Sequence, residues 1–192
     1  MLSAVAWNTE QTKRRLMQAA TEEFAAGGLH GATMDAIAKR AGINKERLYN
    51  YFGNKERLFL ACMKPAGDAL IGAIVAAVQE AQTPADALGN GIHAFFAFLE
   101  QDREAWRVLF DETLPTSGAI ARRVGEYRDR LAALVTAALR ERNPEPAVEP
   151  LSVALLGAAE ALGRWWLRTQ AMPASKAADL LIRTLEPGLR HP

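Results

Sequence analysis

Cysteine is almost absent from this sequence: Cys62 stands alone among 192 residues. A single thiol excludes an internal disulfide and any zinc site built from several cysteines. On a helix it reads as a small buried apolar residue. Histidine is scarce as well, with only His30, His93 and His191. No nucleophile and base are spaced for catalysis, so no enzyme, metal or cofactor is expected. Gly27-Gly28-Leu29-His30-Gly31 follows a helical segment rather than a strand, so it is not a nucleotide loop. Long apolar runs are missing too. The longest, Ala69 to Val78, falls well short of the roughly 18 residues that a membrane span needs. Met1 to Asn8 has no basic stretch ahead of an apolar one, as a signal peptide would. The expectation is a soluble, cytoplasmic chain with no membrane partner.

Hydrophobic residues make up 49% of the chain and charged ones 23%, an ordinary globular balance with enough length to bury a core. The net charge of +1 hides an asymmetry. Residues 1–64 hold ten Lys/Arg against six Asp/Glu, whereas residues 65–192 hold thirteen against sixteen. A basic first third on an acidic remainder suggests a polyanion bound at one end, although a few solvated lysines would give the same numbers.

β-branched residues are sparse and no segment alternates with period two long enough for a strand, while helical spacing recurs throughout. Asn8 and Thr9 cap a first helix carrying Leu16, Ala19, Ala20 and Phe24, which Gly27 and Gly28 stop. Thr33 caps a short second helix that ends at Gly42. Asn44 caps a third running to about Tyr51, and Asn54 opens a fourth. Thr83-Pro84 with Asp86 starts a fifth as cap, first-turn proline and box partner. A short helix covers about 103–112. Ile120 to Leu139 is amphipathic, and Asn143 to Pro146 is a turn or loop. Val148 to about Ala171 is apolar on nearly all sides, and a last helix spans about 175–186 with Leu180, Leu181 and Leu185 inward. The fold class is all-α with about nine helices. We divide it into a three-helix module over 1–55 and a helical remainder over 56–192.

The most informative stretch is Thr33 to Phe59. Two short helices joined by Ala41-Gly42-Ile43 have the size of a helix-turn-helix, packed through Ile37, Ala38, Ile43 and Leu48. The outer face of the third helix then carries Lys45, Glu46, Arg47, Tyr49 and Asn50. Lys and Arg reach guanine edges or phosphates, Asn pairs with adenine, and Tyr hydroxyls donate to phosphate. Helix N-termini at Thr33, Asn44 and Asn54 present free backbone amides to a phosphate. The candidate DNA contacts are Thr33, Asn44, Lys45, Arg47, Tyr49, Asn50, Tyr51 and Lys55. For Tyr49 and Tyr51 the alternative is packing, and Lys39 and Arg40 read equally well as solvated.

Thr33, Ile37-Ala38, Ala41-Gly42-Ile43-Asn44, Leu48-Tyr49, Tyr51-Phe52, Lys55-Glu56 and Leu58-Phe59 fall in the register of the TetR family pattern, and the resemblance covers about residues 9–60. It implies a DNA-binding domain over 1–55 and a ligand-sensing and dimerisation domain over 56–192, with a homodimer on a palindromic operator, a small-molecule pocket downstream, a dimer interface from the last two helices, and a fourth helix acting as lever between the halves. The sequence departs from the family at Glu46 and Arg47, where small residues are common, and at Asn44, where Ser is common. Glu46 has two readings: pairing with Arg47 or another neighbour, which is the simpler, or contact with a cytosine amino group.

Beyond residue 65 the signals thin. His93, Phe96, Trp106, Phe110, Glu160 and Trp165 are candidate ligand contacts because aromatic walls with a few polar groups make small-molecule pockets. The same residues also describe a bundle core. Glu160 lies in an apolar stretch and needs a partner, with Arg164 at i+4 the simplest. Helix 148–171 has one apolar stripe through Leu151, Leu155, Ala159, Leu162 and Trp166, and a second through Leu156, Gly163 and Leu167. Two apolar faces suggest a partner helix from another subunit, with Gly157 and Gly163 permitting close approach. Pro65, followed by Gly67, predicts a bend or break in the fourth helix near Met63–Gly67. The function expected is a ligand-responsive regulator, a repressor released from DNA by a hydrophobic or amphipathic effector. The alternative is a ligand-independent architectural or cell-division type regulator on the same fold.

Overall fold

In a computed structural model of the chain, the backbone described covers residues 2–110, 112–142 and 148–190, with the side chains of 2–9, 85, 142 and 186–190 left aside. The loop expected at Asn143 to Pro146 lies outside the described residues, as does His191. Among the described residues there are nine α-helices and no strand: α1 (Leu2–Gly31), α2 (Met34–Ala41), α3 (Lys45–Phe52), α4 (Lys55–Gln79), α5 (Pro84–Gln101), α6 (Arg103–Phe110), α7 (Gly118–Arg142), α8 (Val148–Thr169) and α9 (Ala174–Arg190). Packing divides the chain into two compact units. The first holds residues 1–67 and 104–124, and the second holds 68–103 and 125–192.

The caps read from sequence do their work at α2, α3 and α5. Thr33 Oγ1 accepts from the Ala36 N–H at 3.1 Å, Asn44 Oδ1 from Arg47 N–H at 2.9 Å, and Thr83 Oγ1 from Asp86 N–H at 3.1 Å. Each satisfies an amide that the first helical turn leaves unpaired. Gly42 ends α2 in the left-handed conformation (φ 66°), donating to Lys39 O while the Ile43 N–H reaches back to Ala38 O. This closing motif turns the chain sharply into α3. At the other end of the unit the expectation fails: α1 does not start at Asn8–Thr9 but runs from Leu2. Its exit is as read, since Gly28 (φ 65°, ψ −178°) breaks the helical path and a last turn continues to Gly31. That backbone region is open only to glycine.

In the first unit Leu16, Ala20, Phe24, Ile37, Leu48, Leu58 and Phe59 form a core with essentially no exposure. Phe24 and Phe59 meet edge to face at 4.8 Å. Arg15 Nη2 donates to Ala41 O at 2.9 Å, and Arg40 bridges Glu22 and Glu23. Arg40 is therefore a strut between α1 and α2. Cys62 is buried as expected, and burial pushes its thiol up to about 11.

The second unit packs α5 against both α8 and α9. Phe95, Phe96, Leu99, Leu155, Ala159, Trp166, Ala177 and Leu181 supply its buried mass. Gly163 is used inside this unit rather than towards a partner. A Cβ there would lie 2.9 Å from Leu99 Cδ1 and 3.4 Å from Phe95. The inward stripe of α8 is Leu155, Ala159, Gly163 and Trp166, whereas Val153, Ala154, Gly157 and Ala161 face outward. Leu180, expected inside, is 41% exposed, because Ala177, Ala178 and Leu181 already fill that side of α9.

Pro65 does not break α4. The helix continues from Lys55 to Gln79 with the exposed proline inside it, so of the bend or break expected near Met63–Gly67 the break is not there. The boundary between the two packing units nonetheless falls just after Gly67. α4 is long and apolar enough to cross a membrane, but half of its most apolar 18-residue stretch is buried within the protein, as in a core helix.

Candidate nucleic-acid interface and effector cavity

Leu48, with no exposure, anchors α3 on the first unit and leaves its other faces to solvent. Lys45, Glu46, Arg47, Tyr49 and Asn50 are all exposed, and Tyr51 is half-buried. Residues four apart stack on one face, so Lys45 lies over Tyr49, Glu46 over Asn50 and Arg47 over Tyr51. The Arg47 guanidinium sits 5.8 Å from the Tyr51 ring centroid, with Nη2 donating to the Tyr51 hydroxyl at 3.4 Å. A guanidinium stacked on a ring keeps its outer N–H groups free while losing rotamer freedom before any ligand arrives.

Lys45 is held as well. Its Nζ donates to Asp35 Oδ2 at 2.8 Å, joining the first turn of α2 to the start of α3. That hydrogen bond and the carboxylate's charge hold the ammonium above its ordinary range. The sequence reading missed Asp35, although its place two residues after the Thr33 cap was visible. Thr33 and Asn44 use their side-chain oxygens as caps, which leaves the hydroxyl proton and the amide NH₂ to donate outward. Lys55 departs most from expectation. Half-buried, it donates to His30 O at 3.4 Å and Ala32 O at 3.1 Å, clamping the α1–α2 connection. One of its three N–H groups remains for a phosphate. Glu46 makes no ion pair with Arg47 or with any other described residue. The simpler of its two readings is thereby removed.

The second unit contains an apolar cavity of about 50 Å³. Ile74 and Val78 of α4, Leu88, Gly91, Ile92 and Phe95 of α5, Leu131, Leu134 and Val135 of α7, and Leu155, Leu156 and Ala159 of α8 wall it. None of the six expected ligand contacts lines it. Phe96 is wholly buried core next to Phe95 (centroids 5.4 Å apart). Trp106 and Phe110 belong to the first unit and stack on each other at 4.3 Å. Trp165 is half-buried, while its neighbour Trp166 is the core residue, donating Nε1–H to Met172 O at 2.7 Å. His93 lies 3.2 Å from Asp179 on an open groove of about 390 Å³ with Glu80, Asn90 and Glu100. The cavity wall is aliphatic apart from Phe95, a composition that periodicity alone does not separate from core.

Glu160, 5% exposed, has a partner stronger than the one expected. Arg128 of α7 grips it with two bonds, Nε to Oε1 at 3.0 Å and Nη2 to Oε2 at 2.9 Å, while Arg164 stands at 3.6 Å. The carboxylate is thus accounted for as an α7–α8 tie. Arg128 lies 32 residues away in sequence, where no spacing rule reaches it.

A helix-turn-helix with an exposed, polar third helix on one unit, joined to a second all-helical unit, is the architecture of a DNA-binding regulator. Comparison with known proteins agrees. Residues 16–62 match the model of the bacterial regulatory proteins of the tetR family, and residues 84–186 match the Tetracyclin repressor-like C-terminal domain. The chain belongs to the TetR family of transcriptional regulators. It is 33% identical over 115 residues to the transcriptional activator FasR of Mycolicibacterium smegmatis, covering 60% of this chain and 52% of that protein. The chain thus matches about half the length of that relative. Among solved structures it resembles a TetR-like regulator from Rhodococcus sp. RHA1, at 30% identity and TM-score 0.83 over 94% of this chain and 97% of that one. It also shares its fold with the regulator FadR of Bacillus subtilis, solved with stearoyl-CoA, at 20% identity and TM-score 0.79 over 90% and 97% of the two chains.

Proposed function

We propose that this regulator is a homodimeric repressor whose α3 helices read a palindromic operator, and that an effector carrying an alkyl chain releases it from DNA. The observation that carries the effector class is the cavity wall, which is aliphatic on α4, α5, α7 and α8 and offers one aromatic ring, Phe95. Such a wall cannot orient a polar molecule, since no donor or acceptor faces inward, but it suits a hydrocarbon. The structural neighbour FadR of Bacillus subtilis, solved with stearoyl-CoA, supports a fatty acyl group. Empty space of about 50 Å³ holds only a few water-sized spheres, so the Leu and Val side chains around it must part to admit a chain. That demand is a means of coupling, because a ligand that widens the bundle binds one state better than the other. In this reading Thr33, Asn44, Lys45, Arg47, Tyr49, Asn50, Tyr51 and Lys55 face the DNA.

The test has two arms: melting of the protein with saturated fatty acids and acyl-CoAs of increasing length, and release of DNA from its own upstream region by the same compounds. Ala159→Leu, which fills the cavity, should abolish both responses while DNA binding persists. The small size of the empty cavity favours a second reading, a ligand-independent regulator on the same fold. It would be chosen if no chain length raised the melting temperature or displaced DNA.

A further inference from the structure

Glu46 is the one acidic side chain on α3, in its first turn, exposed and without a hydrogen bond or ion pair among the described residues. The cations beside it are engaged elsewhere, Lys45 with Asp35 at 2.8 Å and Arg47 with Tyr51. In a helix-turn-helix the first turn of the second helix lies nearest the base edges. A bare carboxylate there is repelled by every phosphate and by every acceptor in the major groove, namely guanine O6 and N7, adenine N7 and thymine O4. Cytosine alone presents a donor, its N4 amino group, with no acceptor at its side.

We propose that Glu46 is a specificity residue that accepts a hydrogen bond from a cytosine amino group in each half of the operator. It lowers affinity for DNA in general and restores it only where cytosine stands at one position. Discrimination therefore comes from repulsion as much as from contact. Lys45 on Asp35 and Arg47 on Tyr51 have partners of their own, so neither is paired with Glu46.

The inference rests on reading α3 as the helix that contacts DNA, and the experiment separates the two. Duplexes are selected from a random pool by the full-length protein as wild type, E46A and E46Q, with each variant's melting measured first. Both variants should melt close to wild type, because Glu46 is exposed and makes no hydrogen bond or ion pair among the described residues. Wild type should enrich a palindrome with cytosine at one fixed position per half-site, preferred by roughly ten- to a hundredfold over other bases. E46A should lose that preference while binding random DNA more tightly. E46Q should move it towards adenine, whose N6 and N7 suit a carboxamide. Unchanged base preferences in both variants overturn the role of Glu46 and leave the regulator intact. A wild type that enriches no sequence overturns the DNA-reading assignment of α3 as well.

Discussion

Arg47 and Lys45 are both cations on α3, yet they differ in what holds them. Arg47 rests on an aromatic ring that leaves its charge free, while the charge of Lys45 is offset by Asp35 2.8 Å away. On binding DNA, Lys45 must share or surrender that partner, which reduces its net contribution. Arg47→Ala should therefore weaken operator binding by the full loss of a contact, about 1–3 kcal/mol, and Lys45→Ala by less. Asp35→Asn should strengthen binding and steepen its salt dependence, read by fluorescence anisotropy across a salt series. Weaker binding in Asp35→Asn would show instead that the pair positions α3. A second residue-scale prediction concerns Arg128 and Glu160. Removing Arg128 leaves a carboxylate of 5% exposure with Arg164, at 3.6 Å, as its remaining cation among the described residues. Because the Arg128 side chain is itself 47% exposed, solvent screening tempers the cost to about 2 kcal/mol, below that of a fully buried pair. Arg128→Ala combined with Glu160→Leu should recover much of the loss in urea denaturation. Equal losses in the single and double variants would mean that the tie contributes nothing beyond its packing.

Among the elements, α4 belongs to both packing units, and the division falls after Gly67, two residues beyond Pro65. The proline removes an N–H from the helical ladder and crowds the carbonyl of Ala61, yet the helix continues. Burial of Leu58, Phe59, Cys62 and Met63 before it, and of Leu70, Ile71 and Ile74 after it, holds the helix on both sides. Since Pro65 is exposed, Pro65→Ala loses little packing and restores a backbone bond. It should raise stability by about 1–3 kcal/mol. If α4 carries the signal as a lever, the same change should blunt effector-induced release more than it alters operator affinity. A variant of unchanged stability would show that the helix already accommodates the ring without cost.

For the whole molecule the question is what covers the outer side of α8 and α9. Val153 is 65% and Leu180 41% exposed, and the small residues Ala154, Gly157 and Ala161 lie on the same outward side of α8. A second copy of the chain meeting this face would bury them. Val153→Arg should then give a folded monomer by analytical ultracentrifugation at micromolar concentration, with melting of the isolated subunit little changed. Leu155→Arg should instead unfold the chain, because Leu155 points into the cavity of its own subunit. Two recognition helices neutralising about ten phosphates should give a slope near −9 in log K against log salt, and Val153→Arg should roughly halve it. A dimeric Val153→Arg would move the interface elsewhere.

Short-range chemistry was legible in the sequence, because caps and turns depend on residues three to five apart. Thr33, Asn44, Gly42 and the Thr83-Pro84 start of α5 all act where their spacing put them. So did the exposure of α3, since Leu48 and the polar residues around it repeat with the helical period. Tertiary structure decided whatever depends on which distant side chain arrives first. Lys45 meets Asp35 across a turn, Glu160 meets Arg128 across two helices, and Gly163 makes room for Leu99 rather than for another subunit. It also decided that the gap lies among aliphatic side chains and Phe95. A helix pattern records which face turns inward; whether facing side chains close completely depends on how four helices meet.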